Sequence, residues 1–374
     1  MNKDLLDKLL SAMLEGGAGL SDLLFIPGRP PQMDCYGRLH AYAGNLTEPV
    51  VSPQFAEQLA AIIMDGNALL AESLRLHGSC DCSYALPAVA RFRVNVYRQN
   101  GHLAVVMRKL ANEVPVLEKL GLPAVIGDIV KERSGLVFVT GATGVGKTTT
   151  LAAMLNEMNR TQDIHIITLE DPVEFMHTPI RASFSQRELG KDFFSYPVGL
   201  KAALRQAPKA IFVGEIRDRE TMEVALTAAE TGHIVFTTLH TINAGQTINR
   251  ILGMFDKDEE QLMRQRLADT LRWVVSQRLV SKIDGGLHLV TEVMGSNLRS
   301  REVITMGESD KRNLHDIIEA SVTPYGWHSF EQSLLKAYSA GFITEETALL
   351  HAAHKSKLRQ AIDLSKHSRK MPVA

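Results

Sequence analysis

The sequence has few cysteines and few aromatic residues. Cys35, Cys80 and Cys82 are its only cysteines in 374 residues, and aromatic side chains account for 6% of the chain. An odd and sparse set of cysteines argues against a disulfide framework and favours a reducing compartment. Cys80-Asp81-Cys82 could be part of a metal motif, but no second cysteine pair completes such a site, so free thiols are favoured.

Long apolar runs and an excess of one charge are also absent. Lys and Arg number 41 against 42 for Asp and Glu, so the net charge of -1 does not favour a polyanionic partner, although a local basic patch remains compatible with it. No apolar run approaches the ~18 residues of a membrane span. The amphipathic residues 5–14 lack the apolar core of a signal peptide. We expect a cytoplasmic protein of about two domains, without membrane insertion.

A glycine-rich loop follows the first strongly apolar strand. It fits the pattern G-x-x-x-x-G-K-[ST] and is followed by Thr149; its residues are Gly141, Ala142, Thr143, Gly144, Val145, Gly146, Lys147 and Thr148. Residues 136–140 predict a buried strand and residues 149–158 predict a helix. The glycines let backbone N–H groups face a phosphate chain, Lys147 is placed to reach the β- and γ-phosphates, and Thr148 is placed to hold Mg²⁺. This order predicts a phosphate-binding P-loop.

Two further apolar strands lead into acidic residues. Residues 164–169 precede Glu170, Asp171 and Glu174. Residues 210–213 precede Glu215, and Arg217 follows two positions after Glu215. An acid in this place can bind Mg²⁺ or orient the attacking water, and Arg217 could sense phosphate. For the first group, an ordinary acidic start of a helix is the alternative.

Histidines flank the predicted strand 234–238. His233 precedes the strand and His240 follows it. A histidine beside a strand is most often structural. Because these two lie at opposite ends, a shared metal is disfavoured, and a relay of nucleotide state by hydrogen bonding is the functional alternative.

The pattern of elements changes near residue 110. Before it, helices 5–14 and 54–64 and strands 83–86, 92–97 and 103–107 indicate a small α+β domain. After it, strands and helices alternate, which predicts a parallel sheet with further strands at 164–169, 210–213, 234–238 and 287–293. We expect domains at 1–109 and 123–374, joined by a linker at 110–122.

Arginines line one face of the first domain. Arg91, Arg93 and Asn95 alternate with apolar residues on one predicted strand, and Arg108 ends the next. A solvated strand face is the ordinary interpretation of such arginines. Phosphate binding is the alternative, and it requires a nucleotide from the other domain or from another subunit.

Several motifs together resemble those of the secretion and type IV pilus ATPases. The match is best to the PilT-like retraction motors, and it rests on residues 91–95, 170–175, 186–188, 204–206, 213–218 and 228–233. The resemblance covers nearly the whole chain. It implies a PAS-like α+β N-terminal domain and an α/β, RecA-like P-loop NTPase domain, assembled as a homohexamer, with ATP and Mg²⁺ bound between the two domains and next to a neighbouring subunit.

The resemblance also implies roles for individual residues. Glu174 falls on the catalytic glutamate and Glu215 on the Walker B glutamate. The His-box positions fall on His233 and His240, and the arginine fingers on Arg93 and Arg108. The implied partner is an inner-membrane pilus platform protein, at which this cytoplasmic motor would dock.

Departures from the family pattern leave two retraction roles open. The sequence lacks the long N-terminal region and four-cysteine zinc motif of the assembly-type relatives, which favours retraction. Residues 297–304 differ from the stretch usual in primary retraction motors. Residues 205–208 and 346–351 look more like a PilU-type accessory motor, which would act with a paralogous retraction ATPase.

Two other functions are compatible with a P-loop domain of this kind. A nucleic-acid motor is disfavoured by the balanced charge and the absence of aromatic-basic patches. A non-hydrolysing switch or scaffold is disfavoured by the complete set of carboxylates.

Overall fold

The chain divides into two compact units. The computed structural model describes residues 1–44, 49–309 and 312–370. The first unit comprises Met1–Val114, Leu169–Thr178 and Gln186–Gly199, and the second comprises Pro115–Thr168, Pro179–Ser185 and Leu200–Ala374. Part of the predicted linker, residues 115–122, therefore lies in the second unit.

The first unit is built on an antiparallel sheet of six strands in the order β3-β2-β1-β6-β5-β4. In chain order, its elements are α1 (Lys3–Glu15), β1 (Leu20–Phe25), β2 (Gln32–Cys35), β3 (Arg38–Ala41), α2 (Pro53–Met64), α3 (Ala68–His77), β4 (Ser79–Leu86), β5 (Ala90–Gln99) and β6 (His102–Lys109). The two helices and three strands predicted in this α+β unit are confirmed. The sequence analysis missed α3, although Asn67 caps its start and Gly78 its end.

Strand β5 shows how the sequence shapes this sheet. Its burial alternates from Ala90 to Tyr97, so that Phe92, Val94 and Val96 enter the core while Arg91 and Arg93 lie on the other face. Helix α1 packs on the same core through Leu6, Leu10 and Met13, which recur at helical spacing. Cys80 and Cys82 are buried free thiols, as expected.

The second unit contains a seven-stranded sheet with the order β13-β12-β7-β11-β10-β8-β9. A 3-10 helix at Leu117–Lys119 precedes α4 (Ile126–Ile129), β7 (Gly135–Thr140), α5 (Lys147–Thr161), β8 (His165–Glu170), β9 (Ser183–Glu188), α6 (Tyr196–Ala203), β10 (Ala210–Val213), α7 (Arg219–Glu230), β11 (Ile234–Leu239), α8 (Ala244–Leu252), α9 (Glu260–Thr270), β12 (Leu271–Ser281) and β13 (Leu287–Gly295). Five helices follow: α10 (Leu298–Met306), α11 (Leu314–Ala320), α12 (Phe330–Ser339), α13 (Glu345–His351) and α14 (Lys355–Lys370). Strands β8 and β9 and helix α6 each contain residues of both units.

The central strands are parallel, as the α/β prediction requires. Every residue of β7, β10 and β11 is buried, which is typical of a parallel sheet covered by helices on both faces. The predicted strand at 287–293 is present as β13, but it runs antiparallel to β12 at the edge of the sheet. Only five residues, including Gly285 and Gly286, join these two strands, and a parallel crossover needs about a dozen.

The segment before α12 belongs to the core of the second unit. Trp327 and Phe330 are almost completely buried. The indole of Trp327 lies so close to Gly295 that a Cβ there would be 2.7 Å from its Nε1. The burial of these two side chains indicates a structural role for this segment. Among the helices that the structure describes, none is long and apolar enough to span a bilayer.

Glu292 on β13 is a buried carboxylate. It accepts a hydrogen bond from the backbone N–H of Ala244, at the start of α8, at 2.9 Å. Burial raises its pKa to about 7, and the hydrogen bond and the charge of Arg278 oppose that shift only partly. Because the pKa is higher in the folded state than the ordinary 4.5, the contribution of Glu292 to stability is complete below pH 4.5 and is lost as the pH rises through about 7.

The Glu292→Gln variant is therefore expected to gain stability relative to the wild-type protein as the pH rises. The amide stays neutral and can still accept from Ala244, so the variant avoids ionising a buried group, which costs about 3 kcal/mol at about 1.4 kcal/mol per pKa unit. The midpoints of thermal unfolding of both proteins, compared at pH 5 and pH 8, test this. The prediction is contradicted if the unfolding midpoints of the wild-type protein and the variant change by the same amount between pH 5 and pH 8.

Candidate nucleotide-binding and catalytic site

The P-loop lies between β7 and α5, as the sequence predicts. Gly141 has a φ of +141°, and a Cβ there would be 2.5 Å from the carbonyl oxygen of Gln277. Gly146, at φ +88°, starts α5 without a capping side chain. The first N–H groups of α5 therefore point out of the helix start, where the positive end of its dipole favours an anion. This local geometry fits a phosphate chain.

Strand register brings the P-loop, Glu215 and His240 to one edge of the sheet. The last residue of β7, Thr140, pairs with Leu239 of β11, and the last residue of β10, Val213, pairs with Thr237. Because the strands are parallel, their carboxyl ends meet at this edge, where open α/β sheets bind ligands. The hydroxyl of Thr238 donates to the carbonyl oxygen of Gly214 at 2.7 Å and fastens the turn that carries Glu215.

Lys147 is part of a chain of polar contacts at this edge. Its Nζ donates to the carbonyl oxygens of Gly141 and Ala142, both at 2.9 Å, and lies 3.4 Å from Nδ1 of His240. Nε2 of His240 is 3.9 Å from Oε2 of Glu215, whose other oxygen is 2.5 Å from Arg217. Burial and then the charge of Lys147 lower the pKa of His240, so its ring is neutral at pH 7.

The donor set at this edge fits a nucleotide with Mg²⁺. Thr148 and Glu215 supply a hydroxyl and a carboxylate oxygen, the ligand types that Mg²⁺ prefers. Cβ atoms at Gly144 and Gly146 would meet nothing within 4 Å, so the loop has open space on the side of its glycines. Thr149 lies beside Thr148 in the first turn of α5, within the predicted phosphate-binding stretch.

His233 lies at the other end of β11 from His240. Its Nδ1 is 3.1 Å from the carbonyl oxygen of Ala228 in α7, and its own carbonyl accepts from Gly135 N at 3.0 Å. The six residues of β11 span about 20 Å of extended chain. Within this unit, His233 therefore holds the end of α7 and does not join the group around Lys147. A role of His233 in hydrolysis stays a prediction.

In the first unit, Glu170, Asp171 and Glu174 lie at and after the end of β8. Glu170 is 5% exposed, and its Oε2 accepts from the backbone N–H of Glu174 at 3.4 Å. Residues 171–178 form neither helix nor strand. The alternative interpretation, an acidic start of a helix, therefore does not apply, and the carboxylates lie on an irregular segment.

Arg93 and Arg108 are direct neighbours across β5 and β6. The two residues pair in the antiparallel register, and their side chains are 42% and 70% exposed. Arg108 binds Asp22 at 2.9 Å, whereas Arg93 approaches Asp81 only to 3.9 Å. Like charges directly opposite each other destabilise a sheet. Asp22 and Asp81 offset part of this positive charge, so a role of the two arginines in anion binding stays a prediction.

Sequence reasoning named Arg91 and the stretch 186–188 but missed that Arg91, Gln186 and Glu188 hold the segment of Glu174. Arg91 donates to backbone oxygens of that segment, and Gln186 and Glu188 of β9 bond to its backbone as well. Burial lowers the pKa of Arg91, and the charges of Glu188 and Glu170 counteract it. The available signal was the spacing of Gln186 and Glu188, which places both side chains on one face of a strand.

A cavity of about 920 Å³ lies elsewhere in the second unit. Its lining includes Gln162, Ile164, Lys209 and Ile234, which lie at the amino ends of the parallel strands. It is therefore at the opposite edge of the sheet from Lys147 and is not the nucleotide site.

His315, Glu319 and Glu331 are close enough together to resemble a metal site, but their carboxylates already have partners. Their ligand atoms lie within 4.8 Å of one another. Oε1 of Glu331 accepts from the backbone N–H groups of Ala353 and His354, both at 2.9 Å, just before α14. Lys357 binds Glu319. We interpret the group as a support for the start of α14.

A P-loop on a parallel sheet, with a carboxylate at the end of a neighbouring strand, defines a nucleoside triphosphatase of the P-loop class. Residues 84–320 match the model of the family described as "Type II/IV secretion system protein". The chain belongs to this family, and it is an ATPase.

Individual relatives match over most of their length. The "Type IV pilus ATPase PilU" of Pseudomonas aeruginosa is 36% identical over 97% of this chain and 92% of its own. The "Type IV pilus retractation ATPase PilT" of the same organism is 37% identical over 88% of this chain and 93% of its own. The crystal structure of the pilus retraction motor PilT with bound ADP matches with a TM-score of 0.83 at 35% identity, covering 96% of this chain and 99% of that one.

Lys147→Ala is expected to weaken ADP binding at least tenfold, which corresponds to about 1.4 kcal/mol, because the phosphates lose a charged donor. Titration with a fluorescent ADP analogue measures this. Lys131→Ala is the matched control, because Lys131 lies in the same unit and is exposed. Equal affinities of the two variants would contradict the assignment of Lys147.

Proposed function

We propose that this chain is the subunit of a homohexameric ATPase motor that powers type IV pilus retraction. The observation that carries the proposal is the group of Lys147, Glu215 and His240 at the edge of the sheet, in a chain whose relatives over nearly full length are named pilus ATPases. The motor would work in the cytoplasm, docked on an inner-membrane pilus platform protein.

ATP binding is assigned to the P-loop. Lys147 and the N–H groups of residues 144–149 would bind the phosphates, and Thr148 and Glu215 would hold Mg²⁺. The ion would supply positive charge that stabilises the negative charge developing on the phosphate in the transition state. Arg217, which is 2.5 Å from Glu215, orients that carboxylate and is placed to sense the phosphate.

Water activation is assigned to Glu174. A carboxylate near the attacking water can orient it and accept its proton. Glu170 and Asp171 complete the acidic segment, and Glu170 supports it by accepting from the N–H of Glu174. His240, which is neutral at pH 7, lies between Lys147 and Glu215. It can therefore transmit a change in nucleotide state from one to the other by hydrogen bonding.

Arg93 and Arg108 are assigned the role of arginine fingers for the site of a neighbouring subunit. Their adjacency on the sheet supports this, because two like charges gain most from an anion that contacts both. A subunit that depends on its neighbour for these charges hydrolyses ATP only when assembled.

An accessory retraction motor of the PilU type is the second candidate. The identity to PilU extends over 97% of this chain, and that to PilT over 88%. Such a motor would act together with a paralogous retraction ATPase.

Arg108→Ala is expected to lower kcat by a factor on the order of 10³ because an arginine finger is lost. Mixing Arg108→Ala subunits with Lys147→Ala subunits should restore part of the ATPase activity. In mixed rings, an intact P-loop of one variant can meet an intact Arg108 of the other. If mixtures stay as inactive as the separate variants, Arg108 does not act across subunits.

Deletion of the gene should abolish or reduce pilus retraction in the source strain. Wild-type chain should restore retraction, and Glu174→Ala, which binds ATP but hydrolyses it poorly, should not. Repeating the deletion with and without a paralogue distinguishes a primary from an accessory motor. Normal retraction in every deletion strain would overturn the proposed function.

A further inference from the structure

The backbone of Val173 and Glu174 is held at four points by side chains. Nη2 of Arg91 donates to the carbonyl oxygen of Val173 at 2.8 Å, and Nη1 donates to that of Glu174 at 3.4 Å. Oε2 of Glu188 accepts from Val173 N at 3.3 Å, and Oε2 of Glu170 accepts from Glu174 N at 3.4 Å. Since this segment has no helix or strand of its own, these bonds define its path.

The groups that hold the segment are charged and largely buried. Glu188 and Glu170 are each 5% exposed, and Arg91 is half-buried. The second oxygen of Glu188 accepts from the hydroxyl of Ser83 and from Lys191, both at 2.8 Å. Charge-assisted bonds in a poorly solvated place are stronger than neutral ones, and a displaced carboxylate would be left buried without partners. The arrangement therefore resists movement of the backbone.

Gln186 continues the same support along the chain. Its Nε2 donates to the carbonyl oxygen of Phe175 at 2.8 Å, and its Oε1 accepts from His177 N at 2.8 Å. The segment after β8 is thus held by hydrogen bonds between its backbone and side chains of β5 and β9.

We propose that Arg91 and Glu188 are positioning residues for ATP hydrolysis, because together they clamp the peptide units of Val173 and Glu174 and so aim the carboxylate of Glu174. The inference rests on the proposed catalytic role of Glu174. It gives Arg91 a task different from that of Arg93, two residues further along the same strand face. The guanidinium of Arg91 is engaged by two backbone oxygens, whereas that of Arg93 is 3.9 Å from its carboxylate partner.

The clamp has a distinct kinetic signature. A misplacement of about 1 Å can cost a reaction about 10²-fold in rate. Arg91→Ala should therefore lower kcat between about tenfold and 10²-fold, while KM for ATP and the Kd of the fluorescent ADP analogue change less than twofold. Arg91→Lys should recover part of kcat, because an ammonium can still donate to one of the two oxygens.

Two further single variants are needed: Glu188→Gln as a second test and Arg98→Ala as a control. Glu188→Gln keeps the shape and one accepting oxygen but loses the charge, so kcat should fall at least threefold. It also carries the test if Arg91→Ala fails to fold. Arg98→Ala removes an exposed arginine from the same strand and should leave kcat unchanged. Thermal unfolding and gel filtration of the full chain verify folding and assembly of each variant.

A double variant shows whether Arg91 acts through Glu174. In the Glu174→Ala background, Arg91→Ala should change the residual kcat less than twofold, because there is no carboxylate left to position. An additive loss in the double variant, or a parallel loss of nucleotide affinity in Arg91→Ala, would overturn the inference.

The outcomes separate the two proposals. If Glu174→Ala hydrolyses ATP normally, the assigned role of Glu174 is wrong, and the clamp inference fails with it. If Glu174→Ala is impaired while Arg91→Ala and Glu188→Gln keep full kcat, only the clamp inference fails.

Discussion

The parallel pairing of β7, β10 and β11 is the constraint on which the nucleotide site depends. These strands are buried along their whole length, so their register is set by the packing of apolar side chains. Because they run in one direction, the P-loop and the turns carrying Glu215 and His240 follow at the same edge. The cation of Lys147 thereby meets the anion of Glu215 through a neutral histidine, in contacts of 3.4 and 3.9 Å.

Charge balance shapes both units. In the second unit, carbonyl oxygens of the P-loop hold Lys147 beside the start of α5. In the first, buried Glu188 and Glu170 fix the segment of Glu174, and two arginines lie exposed side by side. Buried charged groups with satisfied hydrogen bonds favour one rigid geometry, whereas neighbouring exposed charges of the same sign favour binding of a counter-ion. The first unit thus combines a backbone segment held by buried carboxylates with two neighbouring arginines on one strand pair.

Much of the fold and part of the candidate site could be predicted from local patterns. The P-loop, the buried strands around it and the alternation that places Arg91 and Arg93 on the strand face away from the core follow from short-range spacing and hydrophobicity. The hairpin of β12 and β13 was missed because it breaks the alternation of strand and helix. Helix α3 was missed although its capping residues lie in the sequence, and the exposed β3 has no apolar face that would predict a strand.

By itself, the sequence determined which residue types follow each strand, because glycine spacing, apolar runs and acidic ends depend only on neighbours in the chain. Only the tertiary structure decided which of those residues meet. It placed Arg93 opposite Arg108. It joined Arg91 to Val173, 82 positions away. Contacts between distant residues depend on strand order and register, which no local pattern specifies.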